Sequence, residues 1–440
     1  MLRSRRTVRL AWLTAFAALV LGPVLIVLLV ERPAFRNTAT ELSLLAGVVG
    51  LSLLVVAAAL PARLPSVPSS FGIERVLLAH RLVTLAGIAF VVVHLALVFV
   101  GDPRGPRVLD LRHDSRPMWA ATTSTGALLL LVGLALNRRS RRPRYEGWRL
   151  AHVTLAVVVL VAAGLHVWWL ASLVDQAATR FVYTLTAEVA AFIAIRRSVW
   201  LPIRAHRRAY VVHGVRLVGD SAVTIIVRAH GHAGLPFHAG QFAWLKIESS
   251  PFVFDEHSFF IASAAEHPDL NEITIKVLGD FSELLSGLRP GRRIYLDGPY
   301  GAFTFEGTRS SGFVFIAAGV GIAPVLSMLR TLADRCDPAH HEVVVGARSP
   351  VEILARYDLE ELRGRLDLTV TEVVGSAPDG WPGEVGRIDG TLLDRVLPRR
   401  PRHCDYFVCG PPEMVVDVGR HLREWGVPPR RIHAEQFEVT

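Results

Sequence analysis

Four histidines sit inside two otherwise apolar stretches. His80 and His94 lie in "VLLAHRLVTLAGIAFVVVHLALVFV", and His152 and His166 in "AHVTLAVVVLVAAGLHVWW". A polar ring in hydrocarbon is costly without a partner, and in a membrane span it points to function. Both pairs are fourteen positions apart. Fourteen helical residues rise roughly 21 Å and return to within about 40° of the same face. Each stretch therefore offers two imidazoles on one side, one near each leaflet. Imidazole suits iron, and facing helices of a bundle often hold cofactors. Pairing His80 with His152 and His94 with His166 gives two stacked bis-histidine sites. Two hemes in line there make an electron path through a bilayer. A lone intramembrane histidine is as readily a core residue bonded to a neighbouring helix; two pairs with identical spacing favour ligation. Zinc fits less well, because pairs separated by most of a membrane cannot close one tetrahedral site.

Helices must carry these residues, and the composition supplies them. The chain has 440 residues, 51% hydrophobic, with a mean hydropathy of +0.37. A span needs roughly 20 apolar residues. Six segments qualify, at about 8–30, 42–60, 74–100, 118–136, 150–174 and 178–195. The first has basic residues before it but no clear cleavage site after it, which predicts an uncleaved span. The net charge of +9 is carried almost wholly by arginine, Lys246 and Lys276 being the only lysines. Much of the excess flanks the apolar segments, which favours lipid headgroups over nucleic acid. Residues 137–149 carry six arginines and one glutamate. Arginine placement predicts cytoplasmic termini, with spans three and five running outward. Cys336, Cys404 and Cys409 have no CxxC spacing, so neither a disulfide framework nor a Cys-based metal site is indicated.

From about Tyr210 the pattern changes. Short alternating runs punctuated by Gly, Pro and Asp predict a small antiparallel barrel. Apolar strands alternating with helices follow and predict a parallel α/β sheet. Four motifs stand out, in order: "EHSFFIAS", "IKVLGDFS", "AAGVGIAPVLSML" and "FVCGPPEMV". In the third, Gly319 and Gly321 allow a ligand close to backbone, and Pro324 sits in the first helical turn, where its missing N–H costs nothing. Such a loop at the carboxyl end of a strand is where α/β sheets bind ligands. Each motif alone is weak; the four in this order are a strong signal.

Taken together, these residues resemble the ferric reductase/NADPH oxidase group of transmembrane flavocytochromes b, with a cytoplasmic module of ferredoxin–NADP reductase type. The likeness covers nearly the whole chain. It implies a six-helix diheme bundle over 1–200, an antiparallel FAD-binding β-barrel over 205–305 and an α/β nicotinamide-nucleotide-binding domain over 306–440. His80, His94, His152 and His166 would be the heme ligands. "HSFF" resembles the flavin motif: His257 would lie by the FAD phosphates and Phe259 by the flavin. Ser258 and Phe260 depart from the family's usual proline and hydroxyl residue, and Phe260 offers no hydrogen bond to the flavin edge. Lys276, Gly279 and Ser282 match the pyrophosphate segment. Gly319, Gly321 and Pro324 match the nicotinamide-nucleotide loop, and Cys409, Gly410 and Pro411 the motif beside the nicotinamide. Glu435 and Phe437 match an ending in which the aromatic ring covers the flavin, here with three further residues after it. Cys409, Glu435 and Phe437 thus mark the expected reaction centre.

The implied cofactors are two b-type hemes, FAD and NADPH, with NADH as the alternative. Arg348 follows "HEVVVGA" where a 2′-phosphate would lie, and a guanidinium is a good phosphate partner. The implied function is an NAD(P)H-dependent oxidoreductase in a bacterial-type plasma membrane. It would pass electrons outward to O2, giving superoxide, or to a ferric chelate. Delivery to a periplasmic protein or a quinone is a third route. A protein partner is not required, and the absence of an EF-hand pattern gives calcium gating no support.

Overall fold

The computed structural model describes the chain except residues 1–4, 32–36, 65–66, 68–70, 102–115, 138–144, 171–176, 219–221, 248–249, 253–255, 277–284, 286, 398–402 and 437–440. It divides into two compact units, Met1–Pro202 and Ile203–Thr440.

The first unit is helical: α1 (Arg5–Ile26), α2 (Thr38–Ala59), α3 (Ile73–Gly101), α4 (Arg116–Leu136), α5 (Tyr145–Trp169) and α6 (Ala177–Ile195). Among the described residues, five helices are long and apolar enough to cross a membrane, in the regions of α1 to α5. The expected sixth span, α6, is helical and carries Arg180 and Glu188; it is not counted among the five spans found in the described residues. Helices α2 and α3 pack through small residues: a Cβ on Gly50 would stand 3.1 Å from Val91 Cγ2 and 3.3 Å from the Gly87 carbonyl oxygen. Close backbone approach of this kind drives helix association in lipid, where apolar burial alone gives little. Helices α4 and α5 are tied by Ser124, whose hydroxyl donates to the Val159 carbonyl at 3.0 Å.

The second unit holds two six-stranded sheets. The first comprises β1 (Tyr210–Val218), β2 (Ala222–Ala229), β3 (Phe242–Lys246), β4 (His257–Phe260), β5 (Leu270–Lys276) and β6 (Arg293–Tyr300), in the order β4-β3-β6-β1-β2-β5. Its pairings are antiparallel, and an Ile261–Ile273 bridge links its two ends. Alternation puts Val223, Ile225, Val227, Ile273 and Ile275 into one core.

The second sheet comprises β7 (Phe313–Ala318), β8 (His341–Ala347), β9 (Leu368–Val374), β10 (Glu384–Val385), β11 (Asp405–Gly410) and β12 (Ile432–Gln436). All its pairings are parallel, in the order β10-β9-β8-β7-β11-β12. Both faces are covered, which explains the continuous apolar runs. Phe315, Ala317, Phe407 and Cys409 pack with α7 (Ile322–Asp334) and α8 (Arg356–Arg363). Val314, Ile316, Tyr406 and Val408 pack with α9 (Gly390–Val396) and α10 (Pro412–Glu424).

One face of α7 fastens this sheet to the first. Ser327 Oγ donates to the Ser263 carbonyl at 2.8 Å, and Thr331 Oγ1 accepts from the Ala265 N–H at 2.9 Å. Arg330 reaches the Ala262 carbonyl at 2.9 Å, Glu272 at 3.0 Å and Asp358 at 2.7 Å. Residues 327, 330 and 331 share a helix face, so one element holds β4–β5 against the helix that begins at Gly319–Gly321.

Candidate functional site

In the first unit, three of the four histidines are held in the same way. His80 Nδ1 lies 2.8 Å from the Ala57 carbonyl oxygen, His94 Nδ1 2.8 Å from that of Ser43 and His166 Nδ1 2.8 Å from that of Pro117. A carbonyl only accepts, so each Nδ1 carries the proton and each Nε2 keeps its lone pair. That is the tautomer a metal-binding imidazole needs, and it is set by a backbone partner. The acceptors follow a pattern. Helix α2 orients both histidines of α3, and α4 orients His166 of α5. His152 differs, since its ring stacks on Trp148 with centroids 5.1 Å apart.

One of the expected pairs meets. His80 and His152 have ring centroids 6.5 Å apart at 61°. Two imidazoles each bonded to one metal at about 2.0–2.1 Å stand roughly 6 Å apart, centroid to centroid. Among the described residues no group of three or more His, Cys, Asp or Glu is placed to hold a metal ion. A bis-histidine site needs only two, so the donor set fits heme iron and does not fit a tetrahedral protein metal centre.

In the second unit, the strand order of the parallel sheet reverses between β7 and β11. Ligands bind at the carboxyl ends of strands beside such a reversal. Gly319–Gly321 leave β7 there, and Cys409–Gly410 end β11. Gly319 has φ +55°, and a Cβ built on it meets no atom within 4 Å. The backbone is thus open to a ligand in a conformation that glycine adopts without strain. Helix α7 starts at Ile322 without a side-chain cap and without an acidic residue in its first turn. The positive end of its dipole favours an anion, while the Ile322 N–H bonds back to the Gly319 and Val320 carbonyls. Pro324 is buried in that turn. Arg348 follows β8 and is exposed, and Glu435 is buried on β12 beside Cys409.

Two placements qualify the expected reaction centre. The Cys409 side chain is fully buried in the core with Ala317, Phe315 and Phe407. Gly410 and Pro411, rather than the thiol, occupy the turn, and Pro411 is exposed. Gly279, Ser282 and Phe437 lie outside the described residues.

The flavin motif forms β4, paired with β3 so that Phe242 faces Phe260 and Trp244 faces Ser258. Alternation separates the two aromatics. Phe259 stacks with His257 at 6.4 Å and packs on the barrel core, while Phe260 packs on the core shared with α7. Ser258 is exposed and Lys276, at the end of β5, is half-buried. Phe260 therefore has a packing role where its lack of a hydroxyl drew attention. Sequence reasoning missed the carbonyls of Ala57, Ser43 and Pro117, which have no side-chain signature, and the Arg330 tie.

Comparisons with known proteins meet this geometry from two directions. A family model described as a ferric reductase like transmembrane component matches residues 46–163. One described as an oxidoreductase NAD-binding domain matches residues 315–420. The reductase component of propane 2-monooxygenase from Rhodococcus jostii is 33% identical over 212 residues, 47% of this chain and 56% of that protein. The same component from Mycolicibacterium smegmatis is 34% identical over 213 residues, covering 46% and 59%. The chain spans about half the length of the curated relatives it matches. The crystal structure of flavohemoglobin from Malassezia yamatoensis aligns with a TM-score of 0.50 at 19% identity, covering 92% of this chain and 100% of that one, a likeness of fold alone.

Proposed function

We infer that this membrane oxidoreductase, which joins a ferric-reductase-like transmembrane component to an oxidoreductase NAD-binding domain, passes electrons from cytoplasmic NADPH through FAD and two bis-histidine b-type hemes to an external acceptor. The acceptor we favour is O2, giving superoxide. The observation that carries the reading is the His80–His152 pair, 6.5 Å between ring centroids, on a chain that also holds an open glycine turn at a sheet reversal.

The residues divide the work. His80 with His152, and His94 with His166, would hold the two hemes. Residues 205–305 would hold FAD through His257, Phe259 and Lys276, with Gly279 and Ser282 completing the pyrophosphate site. Residues 306–440 would bind the nucleotide at Gly319, Gly321 and Pro324, with Gly410 and Pro411 beside the nicotinamide. When bound, the flavin supplies the change from hydride to single-electron chemistry and the hemes supply one-electron carriers. The chain's own part is to place and insulate. The start of α7 would present the positive end of its dipole to the nucleotide phosphates. Glu435 sits one strand from the nicotinamide turn, positioned to orient the ring or hold a proton nearby. Phe437, by the resemblance, would cover the flavin. Arg348, exposed after β8, would favour NADPH over NADH by pairing with a 2′-phosphate.

The match to a ferric reductase like transmembrane component favours a second acceptor, a ferric chelate. A periplasmic protein or a quinone is the third outcome of the same test.

The test is the visible spectrum of the purified chain with FAD added, before and after anaerobic NADPH, with heme counted per chain. Two b-type hemes reduced by NADPH support the relay, and O2 against ferric citrate then separates the acceptors. Absence of heme overturns the reading. Reduction by dithionite but by neither NADPH nor NADH overturns the reductase half of it.

A further inference from the structure

His94 is held more closely than His80 and His166. Its Nδ1 lies 2.8 Å from the Ser43 carbonyl oxygen and 3.0 Å from Ser43 Oγ, and the same hydroxyl is 3.1 Å from the His94 carbonyl oxygen. One proton arrangement satisfies all three. The Ser43 O–H donates to the His94 carbonyl, and the His94 Nδ1–H is shared between the two Ser43 oxygens. Had the hydroxyl donated to Nδ1, the bare ring nitrogen would face a carbonyl oxygen at 2.8 Å, which is repulsive.

One turn along α2, Gly47 meets the same ring. A Cβ there would stand 3.0 Å from His94 Nδ1, 3.2 Å from Cε1 and 3.3 Å from Cγ. Residues 43 and 47 share a helix face, so α2 presents a slot: two oxygens at one end, a missing side chain at the other. Ser43 is buried, which keeps water from competing for these hydrogen bonds.

We propose that Ser43 and Gly47 are positioning residues for the outer heme, fixing the tautomer and ring angle of His94 so that Nε2 faces the iron. The inference rests on the heme reading above. It adds an asymmetry between the two sites: the hydroxyl gives the outer ligand an acceptor for which the His80 contact with Ala57 has no counterpart. An acceptor on Nδ1–H raises the basicity of Nε2 and favours the ferric state. Ser43 therefore lowers the potential of one heme and leaves the other alone.

The experiment is a spectroscopic redox titration of the purified full chain, with heme counted per chain, for Ser43→Ala, Ser43→Thr and Gly47→Val. In Ser43→Ala one of the two heme transitions moves to higher potential and the other stays. Ser43→Thr, which keeps an Oγ, returns it. Gly47→Val crowds the ring, and loss of a ligand's outer support costs roughly 10–100-fold in metal affinity, so that variant retains one heme of two. Two hemes with both transitions unmoved in Ser43→Ala and Gly47→Val overturn the slot while leaving the relay standing. Equal loss of both hemes, unrescued by threonine, overturns it too, as general packing damage. A wild-type chain without heme overturns the relay itself.

Discussion

Cys409 lies in register with Glu435 across the parallel strands β11 and β12, and its thiol is fully buried while the glutamate beside it keeps an exposure of 8%. The Gly410–Pro411 turn thus has an apolar floor and an acidic neighbour. Glu435→Gln should preserve the fold and flavin content but slow NADPH-dependent flavin bleaching, by roughly 10²-fold if the carboxylate handles a proton. Stopped-flow absorbance measures this, and unchanged bleaching would remove Glu435 from the reaction centre.

Gly319 predicts a nucleotide phenotype separable from heme. Its φ of +55° and the open space above it mean that Gly319→Val meets backbone strain and fills a ledge. The KM for NADPH should rise with two hemes still counted. Loss of heme instead would contradict the division of labour between the units.

His166 separates the outer site from the rest. His166→Leu removes the ring that Pro117 orients. One heme and external turnover should be lost, while NADPH still bleaches the flavin. Full external turnover in this variant would be fatal to the relay.

Arg330 ties the barrel to α7 with its side chain 17% exposed, between Glu272 and Asp358. Removing one member of such a set leaves its partners uncompensated and typically costs about 2–5 kcal/mol. Arg216, at 3.6 and 3.7 Å from the same carboxylates, compensates in part, so Arg330→Met should fall near the lower end. Chemical denaturation of the full chain, followed by flavin release, reads the loss.

His341 predicts a pH dependence. Its ring is fully buried and accepts the Phe313 N–H at 3.2 Å. Burial pushes its pKa below the ordinary value, with nearby Asp337 opposing. Above pH ~6.5 the ring is neutral in both folded and unfolded chains, and stability is complete. As pH falls through that value, the unfolded chain takes up a proton that the folded chain refuses, so stability declines toward the lowered folded pKa. His341→Asn should flatten the dependence between about pH 7 and pH 5, read as denaturation midpoints.

Much of the site was legible in residue order alone. Identical fourteen-residue spacing put two imidazoles on one face of each helix, because helical geometry is local. The glycine turn before Pro324 and the "CGPP" ending announced strand–loop–helix boundaries for the same reason. The helices of the first unit were legible too, α6 at Ala177–Ile195 among them.

Period and backbone chemistry, both written in residue order, dictate the helices that carry the histidines, an antiparallel barrel before a parallel sheet, and glycines at the turn that leaves β7. Which way rings point and what they touch came from folding. Packing turned Cys409 into the core and Phe260 toward α7. It also brought the Ser43, Ala57 and Pro117 carbonyls to three histidines. A carbonyl is present at every position, so no pattern of residue types marks the one that will accept. Its selection depends on which helices pack together and in what register, and that is settled by contacts between residues far apart in the chain.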